Sequence, residues 1–497
     1  MASECVLAVD QGTTNTKAVL IDRTGSPVFR IARQITLITT PEGFTEQDPE
    51  LIWESVASVA SNAVKYAGTK GYSVAAIAIS NQRETALAWD ARSGNALTPA
   101  ISWQCVRGTA TCARLAPHAN ELREKTGLPL APLISATKWA WLLENNSAVQ
   151  QVDLEKHLRL GTVDTWLIHK LTSGAVHATD LTNASRTGLF NLASLQWDHD
   201  ILDMYGIPLN VLPELRSSSH LFGYCKALPE LAGVPIMSAI GDSHAAMFGH
   251  ARYAPGAIKA TYGTGSSLMA LTPALAKDTP TLARTIAWSI NGAAQYALEG
   301  NIPMTGAAIQ WLGEFLGFSN PTSDLVTRAA AVEDSAGIFF VPAMVGLGAP
   351  HWDAEARGII CGLGRQHTLA HLARAAIEAI AFQIADVFFT IEAASEMRFE
   401  ELRADGGATR NDSLMQFQAD LLGVSIARSS NEELSAIGTA WLAGITLGWW
   451  KSVDVIEMLP SAGDRFETAL NSVKRKQLYE GWKRAVDKAR SGQEARA

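Results

Sequence analysis

The 497-residue sequence predicts an α/β fold with mostly buried sheets. Two observations carry that prediction. Short β-rich apolar runs alternate with longer stretches of helical spacing, the pattern of strands and helices packed in layers. A strand–turn–strand unit with a Gly/Thr turn also occurs twice, once at the N-terminus and once past the midpoint. The repeat suggests an internal duplication with a boundary near residues 245–255, dividing the chain into domains 1–248 and 249–497.

Residues 6–9 and 18–21 read as strands around the first Gly-Thr-Thr turn. Residues 51–67 place apolar side chains at helical intervals, and residues 74–79 form another apolar strand. The second unit spans residues 257–271 around Tyr262-Gly263-Thr264-Gly265. Residues 414–422 suit a helix, and the charged stretch 466–497 suits a terminal helix that frays.

Composition narrows the class. Apolar residues make up 47% and charged residues 18%, with 14 Trp and 15 Phe, so large cores are available and a disordered scaffold is excluded. The net charge of −8 offers no broad positive surface for nucleic acid or an anionic membrane. A phosphate-bearing ligand must then be held by local geometry. Cys5, Cys105, Cys112, Cys225 and Cys361 form no CxxC pair, which fits a reducing compartment and excludes a zinc knuckle. The N-terminus enters an apolar strand without a basic leader. No uncharged apolar run reaches the ~18 residues of a membrane span. A cytoplasmic enzyme is expected.

Five segments carry chemistry. In Asp10-Gln11-Gly12-Thr13-Thr14-Asn15-Thr16-Lys17, a strand delivers an acid into a turn of small hydroxyl residues. Gly12 permits close backbone approach, Thr13 and Thr14 offer N–H and O–H donors to an anion, and Asp10 suits Mg²⁺. An ordinary hairpin would use the same residues. Tyr262-Gly263-Thr264-Gly265-Ser266-Ser267 repeats the device, and two such hairpins facing each other would clamp a triphosphate. Asp405-Gly406-Gly407-Ala408-Thr409-Arg410-Asn411 puts backbone N–H groups ahead of a helix, a favourable place for a nucleotide or simply a strand-to-helix turn. Asn81-Gln82-Arg83-Glu84-Thr85 follows a strand end, where α/β folds place ligands. There Arg83 and Glu84 suit sugar-type hydroxyls, and the Trp103 indole can cover the carbon skeleton; a surface ion pair beside a core Trp is the plain alternative. In Gly241-Asp242-Ser243-His244, Asp242 opens a small-residue helix, where it can cap the helix or accept a hydroxyl proton. His244 has no evident partner and reads as a pocket or surface residue.

Together these segments resemble the FGGY carbohydrate kinases, and most closely the glycerol kinases among them. The resemblance runs from Val6 to about Trp450 and is specific at residues 81–85, 161–166, 182–187, 346–353 and 405–408. One family signature fits Gly358-Ile-Ile-Cys-Gly-Leu through Glu378, and another fits Ser135-Ala-Thr-Lys138-Trp-Ala-Trp141 except at its opening position, Leu133. The resemblance implies two actin-like, ribonuclease-H-like ATPase domains flanking a catalytic cleft, with ATP and Mg²⁺ as cofactors. It implies Asp10 for the metal and Thr13, Thr14, Asn15 and Lys17 for the phosphate end. Thr264, Gly306, Gln310, Gly407 and Asn411 would bind ATP. Arg83, Glu84, Trp103, Leu133, Asp242 and Ser243 would bind the polyol, with Asp242 the general base. A homo-oligomer, commonly a dimer, is implied as well.

Three departures bear on the substrate. Glycerol kinases usually carry Tyr at Leu133, Gln at Ser243 and Phe at Ser267. Each change removes bulk, and two remove hydrogen-bonding groups, so the expected pocket takes a four- or five-carbon alditol at least as well as glycerol. The competing expectation is that His244 or Trp139 refills the space. The loop that accompanies fructose 1,6-bisphosphate inhibition in bacterial glycerol kinases carries an Arg. The matching Glu230-Leu-Ala-Gly-Val-Pro235 has none, so no such inhibition is expected. Two rivals remain open at this stage: a xylulokinase-like ketose kinase and a non-catalytic actin-like ATP switch.

Overall fold

The computed structural model describes residues 3–459 and 463–491. Strand β1 (Ser3–Gln11) turns back through β2 (Asn15–Asp22) into β3 (Pro27–Gln34). Helix α1 (Pro49–Thr69) follows, then β4 (Tyr72–Asn81). Asp48 caps α1 by accepting from the N–H groups of Glu50 and Leu51, and Pro49 in the first turn needs no donor. The helix buries Ile52, Val56, Val59, Ala60, Ala63 and Ala67 on one face, the spacing that made it legible. Helix α2 (Ser135–Asn145), strands β5 (Ser219–Tyr224) and β6 (Pro235–Gly241), and helix α3 (Asp242–Gly249) complete the first half.

The second half opens with β7 (Ile258–Tyr262) and β8 (Ser266–Thr272), followed by β9 (Ala283–Ile290) and β10 (Ala293–Ile302). Helices α4 (Gly306–Phe315) and α5 (Leu369–Ser395), strand β11 (Glu401–Asp405) and helix α6 (Asp412–Leu422) come next. Strand β12 (Ser425–Ser429), helix α7 (Leu434–Thr446), strand β13 (Gly463–Phe466) and helix α8 (Ser472–Ala489) close the chain. The terminal helix is present, and the end expected to fray lies outside the described residues.

These thirteen strands form one sheet in the order β13-β12-β11-β7-β8-β10-β9-β5-β6-β4-β1-β2-β3, and shorter strands form small separate sheets. Its pairing repeats. β1 pairs antiparallel with β2 and parallel with β4, β2 pairs antiparallel with β3, and β4 pairs parallel with β6. β7, β8, β10, β11 and β12 reproduce that set of pairings in the second half. The halves join through β5 and β9, whose ladder is the single pair Ser219–Ile290.

Helix α7 belongs to the second half of the sequence but packs on the first half's strands. Ala436, Ile437 and Ala440 bury against Val6, Ala8, Ala76 and Ala78 in one core cluster. Gly438 lets α7 approach α3 closely, since a Cβ there would lie 1.9 Å from the Ala245 carbonyl oxygen. Among the described residues no helix is long and apolar enough to cross a membrane.

Candidate active site

Three neighbouring parallel strands end together. Asp10 on β1 is in register with Ser80 on β4, and Gln11 with Asn81. Ile240 and Gly241 on β6 pair with the same Ser80 and Asn81. The chain therefore leaves the sheet at one edge in three places, delivering Asp10, Arg83 and Asp242 to one crevice at the strand carboxyl ends. Ser80 Oγ donates to Asp10 Oδ1 at 2.8 Å. The Gly241 N–H donates to Thr182 Oγ1 at 2.9 Å, and Asn81 and Asn183 exchange side-chain bonds of 2.9 and 3.1 Å.

The acids and bases form a chain. Arg83 Nε lies 3.4 Å from Asp242 Oδ1, and Arg83 Nη1 donates to Glu299 Oε1 at 2.8 Å. Arg186 Nη1 lies 2.9 Å from Glu299 Oε2, and Arg186 Nε donates to Glu84 Oε1 at 2.6 Å. Burial would raise the Glu299 carboxyl, but Arg83 and Arg186 hold it down to about 2, so it stays ionised with no solvent exposure. Burial raises Asp242 above the usual carboxylate value and Arg83 opposes the rise. Its side chain is nonetheless 37% exposed and opens to the crevice. Burial also raises Asp10 to about 6, helped by the neighbouring Asp242 charge and opposed by Lys17.

Glu84 holds a left-handed backbone, φ 62°. Its surroundings fix it from both ends. Ser135 Oγ and Lys138 Nζ each donate to its carbonyl oxygen at 3.0 Å, while Arg186 holds its carboxylate. Lys138 also donates to the carbonyl of Leu133. Burial lowers this ammonium to about 7. Its two carbonyl acceptors are the backbone of two residues expected to touch the polyol.

The two Gly/Thr turns join antiparallel strands, β1 to β2 and β7 to β8. Thr13 Oγ1 accepts from Trp103 Nε1 at 3.0 Å, so this 38% exposed indole sits at the rim beside the first turn. Thr14 is exposed and accepts from Asn15 Nδ2. Lys17 is not free for an anion here: its ammonium pairs with Glu433 at 2.7 Å. In the second turn Thr264 is exposed, and the N–H groups of Gly306 and Ala307 at the start of α4 bond the carbonyls of Gly263 and Thr264. Gln310, one turn along α4, donates to Glu314. Gly406, at φ 97°, lies so close to the Tyr262 backbone that a Cβ would come within 2.5 Å of its carbonyl oxygen. That contact sets the third turn against the second. Gly407 faces open space, and Asn411 caps α6 by accepting from the Leu414 N–H.

The structure decides two readings that the sequence left open. His244 is not at the surface: it is fully buried, with Nε2 3.2 Å from Thr285 Oγ1. Burial and Arg83 hold its pKa well below 6.5, so it is neutral. Nor does Asp242 cap α3 through its side chain, which accepts from the adjacent Ser243 N–H at 2.6 Å. Trp139 is buried and donates to the Leu87 carbonyl. His244 Nδ1, beside Gly241, has no hydrogen-bond partner among the described residues.

Sequence reading missed Arg186, Glu299, Lys138 and Lys259 as site residues. A signal existed for each: a lone charge inside an apolar strand or among small neighbours, as in Ala297-Leu298-Glu299-Gly300 and Ile258-Lys259-Ala260. Such a charge is buried only with partners, and for Arg186 and Glu299 those partners lie far away in sequence.

The chain matches two family models, the N-terminal domain of the FGGY family of carbohydrate kinases over residues 5–249 and its C-terminal domain over residues 258–447. It is 44% identical over 489 residues to glycerol kinase 2 of Thermotoga maritima, covering 97% of this chain and 98% of that protein. It is 43% identical to the glycerol kinase of Paraburkholderia phytofirmans, covering 99% of each. Among solved structures it superposes on Plasmodium falciparum glycerol kinase with ADP at a TM-score of 0.92 and 32% identity, covering 98% of each chain. The gluconate kinase of Lactobacillus acidophilus, at 23% identity and a TM-score of 0.89, shares the fold.

Proposed function

The chain belongs to the FGGY family of carbohydrate kinases, and from that premise we propose that it transfers the γ-phosphoryl group of ATP to a hydroxyl of a small polyol, either glycerol or a four- or five-carbon alditol. One observation carries the reading. A half-open carboxylate, Asp242, is raised toward neutrality and flanked by Arg83, at the crevice where Asp10 also arrives. A non-catalytic ATP switch has no use for that arrangement.

Phosphoryl transfer asks a protein for positioning, charge neutralisation and a proton acceptor. Asp242 takes the proton of the attacking hydroxyl as that oxygen bonds phosphorus, and its raised pKa makes it a stronger base than a free carboxylate. Arg83 has N–H groups beyond those facing Glu299 and Asp242, and these with the Glu84 carboxylate orient the neighbouring hydroxyls. The Thr13–Thr14 and Thr264 turns supply donors for the phosphates. Closure of the cleft excludes water, the competing acceptor.

Among the described residues no group of three or more His, Cys, Asp or Glu side chains gathers to hold a metal. A magnesium ion is usually held by one or two carboxylates plus phosphate and water. Asp10 fits that role, because burial and the Asp242 charge leave its carboxylate in need of a cation. When bound, Mg²⁺ would neutralise phosphate charge there.

The smaller side chains at Leu133, Ser243 and Ser267, where glycerol kinases usually carry Tyr, Gln and Phe, support the longer alditol. The family resemblance supports a homo-oligomer, commonly a dimer, and the composition suits a cytoplasmic enzyme. Steady-state kinetics on glycerol, erythritol, threitol and pentitols test the substrate. A glycerol kcat/KM far above all the others would sink the wider pocket. ATP turnover indifferent to every polyol would sink the kinase reading itself.

A further inference from the structure

Lys259 on β7 has no solvent exposure, and among the described residues its ammonium makes no ion pair; hydroxyls surround it instead. Its Nζ lies 2.8 Å from Ser243 Oγ, 2.8 Å from Thr261 Oγ1 and 3.5 Å from Ser267 Oγ. An ammonium only donates, so Ser243 and Thr261 accept from it and must send their own protons onward. Thr261 sends its proton to Asp405. Ser243 Oγ has Ser267 Oγ 3.0 Å away. A Ser243 proton directed there leaves the Ser267 proton pointing away from Lys259. Each donation polarises the next, so the end of the relay is a strengthened donor.

That end lies beside Asp242 through Ser243. Ser243 and Ser267 are both half-buried, and the Ser243 N–H bonds the Asp242 carboxylate at 2.6 Å. We propose that Lys259, acting through Ser243 and Ser267, forms a subsite for one further hydroxyl oxygen of the substrate, beyond the three-carbon unit served by Arg83, Glu84 and Asp242. The proposal rests on the polyol-kinase reading above. The relay offers a proton, so its ligand brings a lone pair. Of the charged groups that act on Lys259, Asp242, Glu299 and Asp405 outnumber Arg83, which favours a neutral oxygen over an anion. The class that fits is a neutral alditol of four or more carbons.

The test uses the full chain and compares kcat/KM for erythritol and threitol with that for glycerol. In Ser267→Ala, which removes one donor, the better four-carbon alditol is expected to lose about tenfold relative to glycerol. Ser267→Phe, which also fills the space, is expected to lower the ratio by about a hundredfold. Lys259→Met keeps both serines but removes the polarising charge, and is expected to lower the ratio as Ser267→Ala does. An unchanged or rising ratio in Ser267→Ala overturns the subsite, and an unchanged ratio in Lys259→Met overturns the relay. A wild-type enzyme that phosphorylates glycerol but no four-carbon alditol also refutes the proposal while leaving the kinase reading intact. ATP turnover that ignores all polyols instead refutes the kinase reading.

Discussion

Arg83, just past the end of β4, donates to Glu299 on β10 at 2.8 Å, so the two meet from opposite sides of the boundary between the family-domain matches. Glu299 is thereby a positioning residue: it holds Arg83 toward Asp242 and, through Arg186, holds Glu84.

The first prediction concerns that link. Glu299→Gln keeps the side chain's shape and leaves Arg83 and Arg186 balanced by Glu84 and Asp242. Loss of a buried ion partner typically costs ~3–5 kcal/mol, so the melting temperature should fall while the fold survives. The polyol KM should rise at least about tenfold with the ATP KM nearly constant, since positioning rather than phosphate binding is lost. Equal changes in both KM values would reduce Glu299 to a structural role.

Asp242→Asn should lower kcat by about 10²–10⁴-fold, the usual contribution of a general base, with ATP binding retained. In the wild type, kcat/KM should fall on the acid side along a limb lying above the ordinary carboxylate value of 3.8, because burial raises Asp242 and activity needs its ionised form. A limb at or below that value would remove Asp242 from the role. The pH dependence of kcat/KM for the polyol measures it.

Asp10→Asn should separate stability from activity. Burial raises this carboxyl from 3.8 to about 6, so the native state prefers it protonated. The ionised group therefore opposes folding fully above pH 6, and the penalty fades as pH falls toward 3.8. Replacing it should stabilise the protein at pH 7 by roughly 2–3 kcal/mol while activity with Mg²⁺ collapses. Denaturant titration of both proteins at pH 7 and pH 4 checks the sign: the gain should shrink at the lower pH.

Fructose 1,6-bisphosphate should leave activity unchanged. The segment from Glu230 to Pro235 carries an acid and no Arg, and Glu230 already accepts a bond from Ser61. A dose-dependent loss of activity would contradict this.

The sequence by itself determined β1, β2, β4, β7 and β8, the Gly/Thr turns and the internal repeat. Each of these is local: alternation, helical spacing and turn chemistry act over a few residues, and β1–β2 and β7–β8 stand where the pattern put them. Residues at strand ends, Asp10, Arg83 and Asp242, were legible for the same reason. Only the tertiary structure decided what those residues face. Arg83 and Glu299 are 216 positions apart, and Lys17 and Glu433 are 416 apart. It also turned His244 inward toward Thr285, 41 positions on. A buried charge must find its partner wherever the fold brings one, so the network around Asp242 is a property of the assembled sheet and not of any single segment.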